Sequence, residues 1–290
     1  MLVRRIILFI ILLNTLCSYG QEKNKTTYNI KKTNNTYETI FGYPNMNLYD
    51  SVYSVNLYVG KDTSAWDLLK PFTFLETIEI PNFPKKSLII PSIVCKFKHL
   101  KGIYQHSKKT TLPPCFSTIS TLEELSFSWS HYNKIPSNIY NLLNLKTLRI
   151  GKYTGKVLTP EINNLTNLEE LEINNLSKIK EIPLIIYDLI NLKILSIYTK
   201  KSISLNIQIK NLKKLETLSL NIDLMDKNTI EILSQMKSLK NLTVYKLSNY
   251  DSNILQLSFL ETLTINKNKL NEEKQKELKK MLPNTQIKFF

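Results

Sequence analysis

Leucine and isoleucine recur along this chain at intervals of about 23 residues, far longer than the period of a helix or a strand. The segment Leu145–Ile150 is matched by Leu168–Ile173, and further copies begin at Leu192 and Leu215. Such self-similarity is typical of stacked repeats. Extending the register in both directions predicts ten coils, each with one apolar anchor: Val52, Leu75, Leu100, Leu122, Leu145, Leu168, Leu192, Leu215, Leu239 and Leu260.

Each predicted coil repeats the same apolar pattern around its anchor. The positions six and three residues before the anchor, and three and five residues after it, are apolar in every coil except at Gln105. Residues alternate across a strand, so those three and five after the anchor point inward and those two, four and six after it point outward. A single coil cannot enclose its own leucines, and its stability therefore depends on its neighbours.

The motif LxxLxL preceded by IPxxIxxL resembles the leucine-rich repeat family, in the form found in exported bacterial proteins. The motif is complete at Ile135, Pro136, Ile139, Leu142, Leu145, Leu148 and Ile150, and the resemblance covers residues 46–290. It implies an α/β solenoid, a right-handed horseshoe with a parallel β-sheet on the concave side and short helical or 3-10 turns on the convex side. The family asparagine eight residues after the anchor is present only as Asn268, so we expect irregular turns after the strands.

The pattern predicts four segments. Residues 1–20 have the layout of a secretory signal peptide, because Arg4 and Arg5 precede a short apolar run and small residues precede Gln21. Cleavage before an acylated Cys17 is the weaker alternative. Residues 21–40 form a polar, loosely ordered leader, residues 41–270 the ten coils, and residues 271–290 a capping helix and strand. The protein is therefore expected to be exported, as a secreted, periplasmic or cell-surface protein without a transmembrane segment.

Charge and its location limit the classes of partner. The formal net charge is +15, or +13 once Arg4 and Arg5 are removed. The predicted concave positions nevertheless hold Glu79, Glu124, Glu170 and Glu172 against Arg149, so this face is not that of a nucleic-acid-binding protein. The excess lysines are predicted on the convex side and the rims: Lys96, Lys98, Lys101, Lys210, Lys213, Lys214 and Lys240.

Catalytic chemistry is not indicated by any motif. His99, His106 and His131 fall on different faces of their coils, and no hydrolase, metal or phosphate-binding signature occurs. We expect no catalytic residue, no metal and no cofactor. Cys95 and Cys115 fall beside convex core positions of adjacent coils, where a disulfide and two free thiols are both open. Residues 100–110, with the inward Gln105 and irregular coil spacing, are a second candidate site.

The concave positions are instead rich in Tyr, Ser, Thr and Asn, a composition typical of recognition surfaces. The predicted partner-binding residues are Tyr58, Tyr104, His106, Trp129, Arg149, Tyr153, Glu170, Glu172, Tyr198 and Tyr245. The favoured function is a non-enzymatic, extracytoplasmic binding protein whose concave sheet recognises a protein partner. The alternative is a surface-associated structural or adhesive protein that contacts anionic envelope polymers through its basic convex face.

Overall fold

The computed structural model describes residues 26–33, 36–40, 52–57, 64–81, 87–176, 178, 181–266 and 270–290. The predicted signal peptide, Cys17 and Tyr58 lie outside these residues, as does the side chain of Trp129. The chain divides into two compact units, residues 1–127 and 128–290.

The first unit is built from parallel strands joined by 3-10 turns. Strands β1, β3, β4, β6 and β8 pair in parallel in that order, β2 pairs antiparallel with β1, and β5 pairs with β7 in a small second sheet. The strands are β1 Thr26–Thr33, β2 Thr36–Ile40, β3 Val52–Leu57, β4 Thr77–Ile80, β5 Ser87–Ile89, β6 Gly102–Gln105, β7 Lys109–Thr111 and β8 Glu124–Tyr132, the last continuing past residue 127. The turns are Ser64–Leu69, Ser92–Lys96 and Pro114–Thr118.

The second unit repeats this plan and adds two α-helices. Strands β9, β10, β11, β12, β14, β16 and β17 pair in parallel in that order, and β13 pairs with β15. The strands are β9 Thr147–Tyr153, β10 Glu170–Asn174, β11 Ile194–Tyr198, β12 Thr217–Leu220, β13 Leu224–Met225, β14 Asn241–Val244, β15 Asn249–Tyr250, β16 Thr262–Ile265 and β17 Gln286–Phe289. The 3-10 turns are Ser137–Asn141, Pro160–Asn164, Leu184–Asp188, Ile207–Asn211 and Ser252–Leu257, and the helices are α1 Lys227–Ser234 and α2 Glu272–Met281.

The predicted solenoid with one short parallel strand per coil is confirmed. All ten anchor residues are buried, and so are the residues three and five positions after each of them. Pro91, Pro113, Pro136 and Pro183 each precede a 3-10 turn, where a fixed φ suits the turn and no backbone donor is needed. Helix α2 begins after Asn271, whose side chain accepts a hydrogen bond from the Lys274 backbone N–H at 2.8 Å.

The described residues of the predicted leader 21–40, namely 26–33 and 36–40, form strands β1 and β2. Strand β1 pairs with β3 from Thr26 opposite Val52 to Ile30 opposite Leu57, and β2 folds back on β1. The edge of β3 would otherwise present unpaired backbone groups, and the threonine, tyrosine and isoleucine of this segment suit a strand. Low overall apolar content therefore did not prevent strand pairing there.

Polar side chains directly before the anchors connect successive coils. Asn167 and Asn191, each one residue before an anchor, donate hydrogen bonds to the backbone carbonyls of Leu143 and Thr166 in the preceding coil, at 2.9 and 2.8 Å. Thr121, also one residue before an anchor, donates to the carbonyl of the anchor Leu100 at 2.7 Å.

From the second coil to the tenth, the residue directly after the anchor alternates between glutamate and lysine: Glu76, Lys101, Glu123, Lys146, Glu169, Lys193, Glu216, Lys240 and Glu261. We call these residues the charge ladder. Lysine–carboxylate distances are 3.1 Å from Lys101 to Glu76 in the first unit, and 2.8 Å from Lys193 to Glu169 and from Lys240 to Glu216 in the second. The Lys193 hydrogen bond lowers the pKa of Glu169, and that of Lys240 lowers the pKa of Glu216. Neighbouring coils are thus matched in charge as well as in shape.

Candidate functional site

One side of the parallel sheet of the second unit, which we call the strand face, contains both exposed side chains and buried polar ones such as Thr147, Ser219 and Asn221. It consists of the residues two, four and six positions after each anchor on β9 to β12, β14, β16 and β17. Strand pairing aligns the middle row as Arg149, Glu172, Ser196, Ser219, Thr243, Thr264 and Lys288. Small hydroxyl side chains therefore separate a charged group at each end of the row.

A compact ion cluster occupies the β9 end of the strand face. The Arg149 Nε and Nη2 atoms donate to the two carboxylate oxygens of Glu170, at 2.7 and 2.9 Å. The Glu172 carboxylate lies 3.8 Å from the same guanidinium and accepts a hydrogen bond from Asn174 Nδ2 at 2.5 Å. A bidentate pair of this kind holds both side chains rigidly. Arg149 and Glu170 neutralise each other, which leaves the cluster with the charge of Glu172.

Three aromatic rings, each six positions after the anchor position of its coil, extend from β11 to β17, and we call them the aromatic strip. Tyr198 and Tyr245 meet edge to face at a centroid distance of 5.4 Å, and Tyr245 and Phe290 do the same at 5.9 Å. Tyr198 is 41% exposed and Phe290 is 47% exposed. Burial raises the pKa of the Tyr245 hydroxyl, an effect that the charge of Glu172 reinforces and a hydrogen bond with Ser219 opposes. The Tyr245 hydroxyl therefore stays protonated at physiological pH.

The sequence predicted Tyr198 and Tyr245 but not Phe290. The register places Phe289 opposite Ile265, so Phe290 is the outward residue six positions into one further coil. That coil has Asn284 in place of an apolar anchor, which is why the repeat pattern missed it. Extending the register by one coil would have found this ring.

Tyr104 and His106 lie in the first unit, on strand β6 and directly after it. The Tyr104 hydroxyl donates to the Glu124 carboxylate on the neighbouring strand, and both residues are half-buried. His106 is also half-buried, and its backbone N–H donates to the Ile80 carbonyl at 3.2 Å. Their role as partner contacts remains a prediction.

The prediction that Tyr153 contacts a partner is wrong. Its side chain is 1% exposed and its hydroxyl donates to the Val157 carbonyl at 2.7 Å. Burial raises the pKa of this hydroxyl, and the nearby Tyr140 hydroxyl reinforces the shift. Tyr153 lies at the end of the extended strand β9, where the chain turns back over the ring, so position after the strand did not imply exposure. It is a core residue.

The second candidate site, residues 100–110, is a structural feature. Gln105 is fully buried, and its side-chain oxygen accepts hydrogen bonds from the backbone N–H and the hydroxyl of Ser107, at 2.7 and 2.6 Å. The Ser107 hydroxyl also lies 2.8 Å from that of Thr110. A polar inward residue is tolerated here because its buried oxygen is satisfied locally.

Of the two alternatives for the cysteines, the structure contains the disulfide. Cys95 and Cys115 are bonded with their Cα atoms 6.2 Å apart, and they lie on the 3-10 turns Ser92–Lys96 and Pro114–Thr118. The bond therefore joins two successive coils of the first unit.

The described residues were expected to hold no metal site, and their acidic, histidine and cysteine side chains bear on that question. No set of three or more His, Cys, Asp or Glu side chains there could hold a metal ion. The His99 ring stacks on Phe74 at 5.0 Å, which is a packing role. In the same residues, no helix combines the length and apolar character needed to cross a membrane.

Comparison with known proteins supports the repeat assignment. A family model described as a leucine-rich repeat region matches residues 130–268. Two internalins from Listeria monocytogenes have a similar fold. The first is 20% identical, and the match covers 73% of this chain and 61% of the internalin, with a TM-score of 0.52. The second, internalin C2, is 22% identical, and the match covers 68% of this chain and 83% of the internalin, with a TM-score of 0.50. A leucine-rich repeat protein of Leptospira interrogans matches at 17% identity over 84% of this chain and 86% of its own, with a TM-score of 0.44. Among curated proteins, none matches the chain.

Residues 130–268 therefore match the leucine-rich repeat model, and the internalins share the fold.

Proposed function

We propose that this chain is an exported, non-enzymatic binding protein that recognises a protein partner through the strand face of residues 128–290. The observation that carries the proposal is the aromatic strip. Tyr198 and Phe290 expose large ring surfaces on an ordered sheet, and aromatic side chains of this kind provide much of the binding energy at protein interfaces. The hydroxyl and amide side chains around them supply adaptable hydrogen bonds.

The test is a crosslinking pull-down from the native source with the purified chain as bait. We expect the double variant Tyr198→Ala, Tyr245→Ala to recover at least tenfold less of the captured partner than the wild type, because hot-spot rings contribute about 2 kcal/mol or more each. Phe74→Ala is the matched control, since it removes a ring of 40% exposure that lies off the strand face. Equal recovery by the wild type and the double variant would remove the strand face from the proposal.

Export is supported by the disulfide as well as by residues 1–20. Disulfides persist in oxidising compartments and are rare in the cytosol. N-terminal sequencing of the protein from its native source should give Gln21 as the first residue. Recovery of the chain in the cytosol with residues 1–20 attached would contradict export.

A surface-associated adhesive role is the second candidate, and the observation in its favour is the exposed lysines Lys210 and Lys213. Other lysines of the same group, Lys101 and Lys240, are paired with glutamates, which lowers the surplus charge. Retention on immobilised dextran sulfate that falls with salt and is unaffected by the tyrosine substitutions would favour this candidate.

A further inference from the structure

The two ends of the strand face differ in charge. Glu172 lies on β10, one strand before Tyr198, and Lys288 lies on β17 beside Phe290. Between these charges the outward middle row contains only Ser196, Ser219, Thr243 and Thr264, so the aromatic strip has a carboxylate at one end and an ammonium at the other. The surface is thus bipolar as well as aromatic.

The carboxylate at the β10 end is not balanced by its own cluster. Arg149 makes its two short contacts to Glu170 and reaches Glu172 only at 3.8 Å. The Glu172 side chain is 32% exposed, and its charge extends far enough to affect the pKa of Tyr245. A cation is the group that complements a surplus carboxylate beside aromatic rings, and a guanidinium can also stack on a ring.

Two lysines, Lys200 and Lys246, follow Tyr198 and Tyr245 along the chain. The Lys246 ammonium donates to the backbone carbonyl of Lys200, which is a neutral acceptor. Lys200 itself is exposed.

The distance between the two charged ends sets the size of the occupant. Six strands from β10 to β17 span five gaps of about 4.8 Å, or roughly 24 Å. An extended peptide rises about 3.3 Å per residue, so about seven residues cover this distance. A short extended segment can therefore contact both ends at once.

We propose that the aromatic strip binds an extended segment of a partner protein, about seven residues long, with an arginine or lysine facing Glu172, apolar side chains on the rings and an acidic residue facing Lys288. This inference rests on the proposed function, which requires only that some protein binds the strand face. It adds which charges the bound segment carries and which end of the strand face each charge contacts.

Selection from a phage-displayed library of random nine-residue peptides on the immobilised full chain tests the proposal. We expect enriched peptides to carry a basic and an acidic residue about seven positions apart, in either order, with apolar residues between them. An enriched peptide is then synthesised with its basic residue unchanged or replaced by glutamine, and both forms are titrated by fluorescence anisotropy. The unchanged peptide should bind the wild type about tenfold more tightly, as expected for a cation held by a carboxylate and aromatic rings.

Variants distinguish this inference from the proposed function. Glu172→Gln should remove the preference for the basic peptide, whereas Glu231→Gln, which removes an exposed carboxylate from helix α1, should keep it. Enriched peptides without a basic residue, or a preference that survives Glu172→Gln, would overturn the inference. If the tyrosine double variant still loses the native partner in that case, the proposed function stands without it. If neither the peptides nor the partner depend on Tyr198 and Tyr245, both fail.

Discussion

Replacing Gly155 with alanine would force a methyl group into space that the second unit already fills. A Cβ atom at this position would lie 2.3 Å from the Asn133 carbonyl oxygen and 2.5 Å from both Cζ and Oη of Tyr153. The carbonyl belongs to the backbone and the ring is 1% exposed, so neither can move without disturbing the core. Displacing the ring would also break the 2.7 Å hydrogen bond from its hydroxyl to the Val157 carbonyl.

The expected loss combines these effects. Overpacking a core costs about 1–3 kcal/mol, and leaving a buried hydrogen-bonding group unsatisfied costs about 1–3 kcal/mol. Alanine restricts the unfolded chain and returns up to about 1 kcal/mol. We therefore expect Gly155→Ala to lower the free energy of unfolding by about 3 kcal/mol, measured as a shift of the urea midpoint at constant slope.

Gly102→Ala in the first unit is the matched comparison. There the added Cβ would meet the Tyr104 ring at 3.0 Å, and this ring is half-buried and can give way. We expect a loss below about 1 kcal/mol, in the range of a mild core change. A Gly155→Ala variant as stable as Gly102→Ala would refute both the clash and the assignment of Tyr153 to the core.

Three other predictions concern the bonds between and within coils. Cys95→Ser should reduce the free energy of unfolding by about 3 kcal/mol because the disulfide closes a loop of sequence separation 20. Reducing the wild type with dithiothreitol should lower its free energy of unfolding by the same amount. A urea midpoint that dithiothreitol leaves unchanged would contradict this. Lys193→Glu should place three carboxylates in succession on the charge ladder and lower the urea midpoint by less than Gly155→Ala does. The difference in midpoint between Lys193→Glu and the wild type should shrink in 1 M salt, because salt screens the repulsion. A loss that salt does not change would point to packing instead. Asp226 caps helix α1, and hydrogen bonds from Thr229 lower its pKa. The stability that the Asp226 carboxylate contributes is therefore present above the ordinary aspartate pKa and lost as the pH falls through the lower pKa of the folded state. Asp226→Ala should lower the free energy of unfolding by about 1 kcal/mol at pH 7 and leave it unchanged in strong acid. A loss of stability that does not vary with pH would show that the carboxylate charge is not involved.

The repeat could be predicted from the sequence because each anchor is buried by the neighbouring coils, so an apolar residue is required at the same position of every coil. The outward direction of Tyr198 and Tyr245 followed from the same period. What the period cannot encode is the path of the chain after a strand ends. Tyr153 lies in such a segment, and its burial depends on how the following loop turns back over its ring.

Polar contacts between coils were harder to predict than apolar ones. Asn167 and Asn191 stand before the anchor, and their role becomes visible only when the carbonyl of the preceding coil is placed opposite them. The pairing of Arg149 with Glu170 likewise depends on which residues the register brings side by side.

The charge ladder means that the smallest interchangeable piece of this protein is a pair of coils. Among the coils of the second unit, excising or duplicating one coil would bring two glutamates or two lysines together at one junction, whereas excising or duplicating two adjacent coils would keep the alternation of charge. Shortened or lengthened forms that differ by an even number of coils should therefore fold with intact electrostatic matching, a rule that applies equally to natural variation and to deliberate redesign.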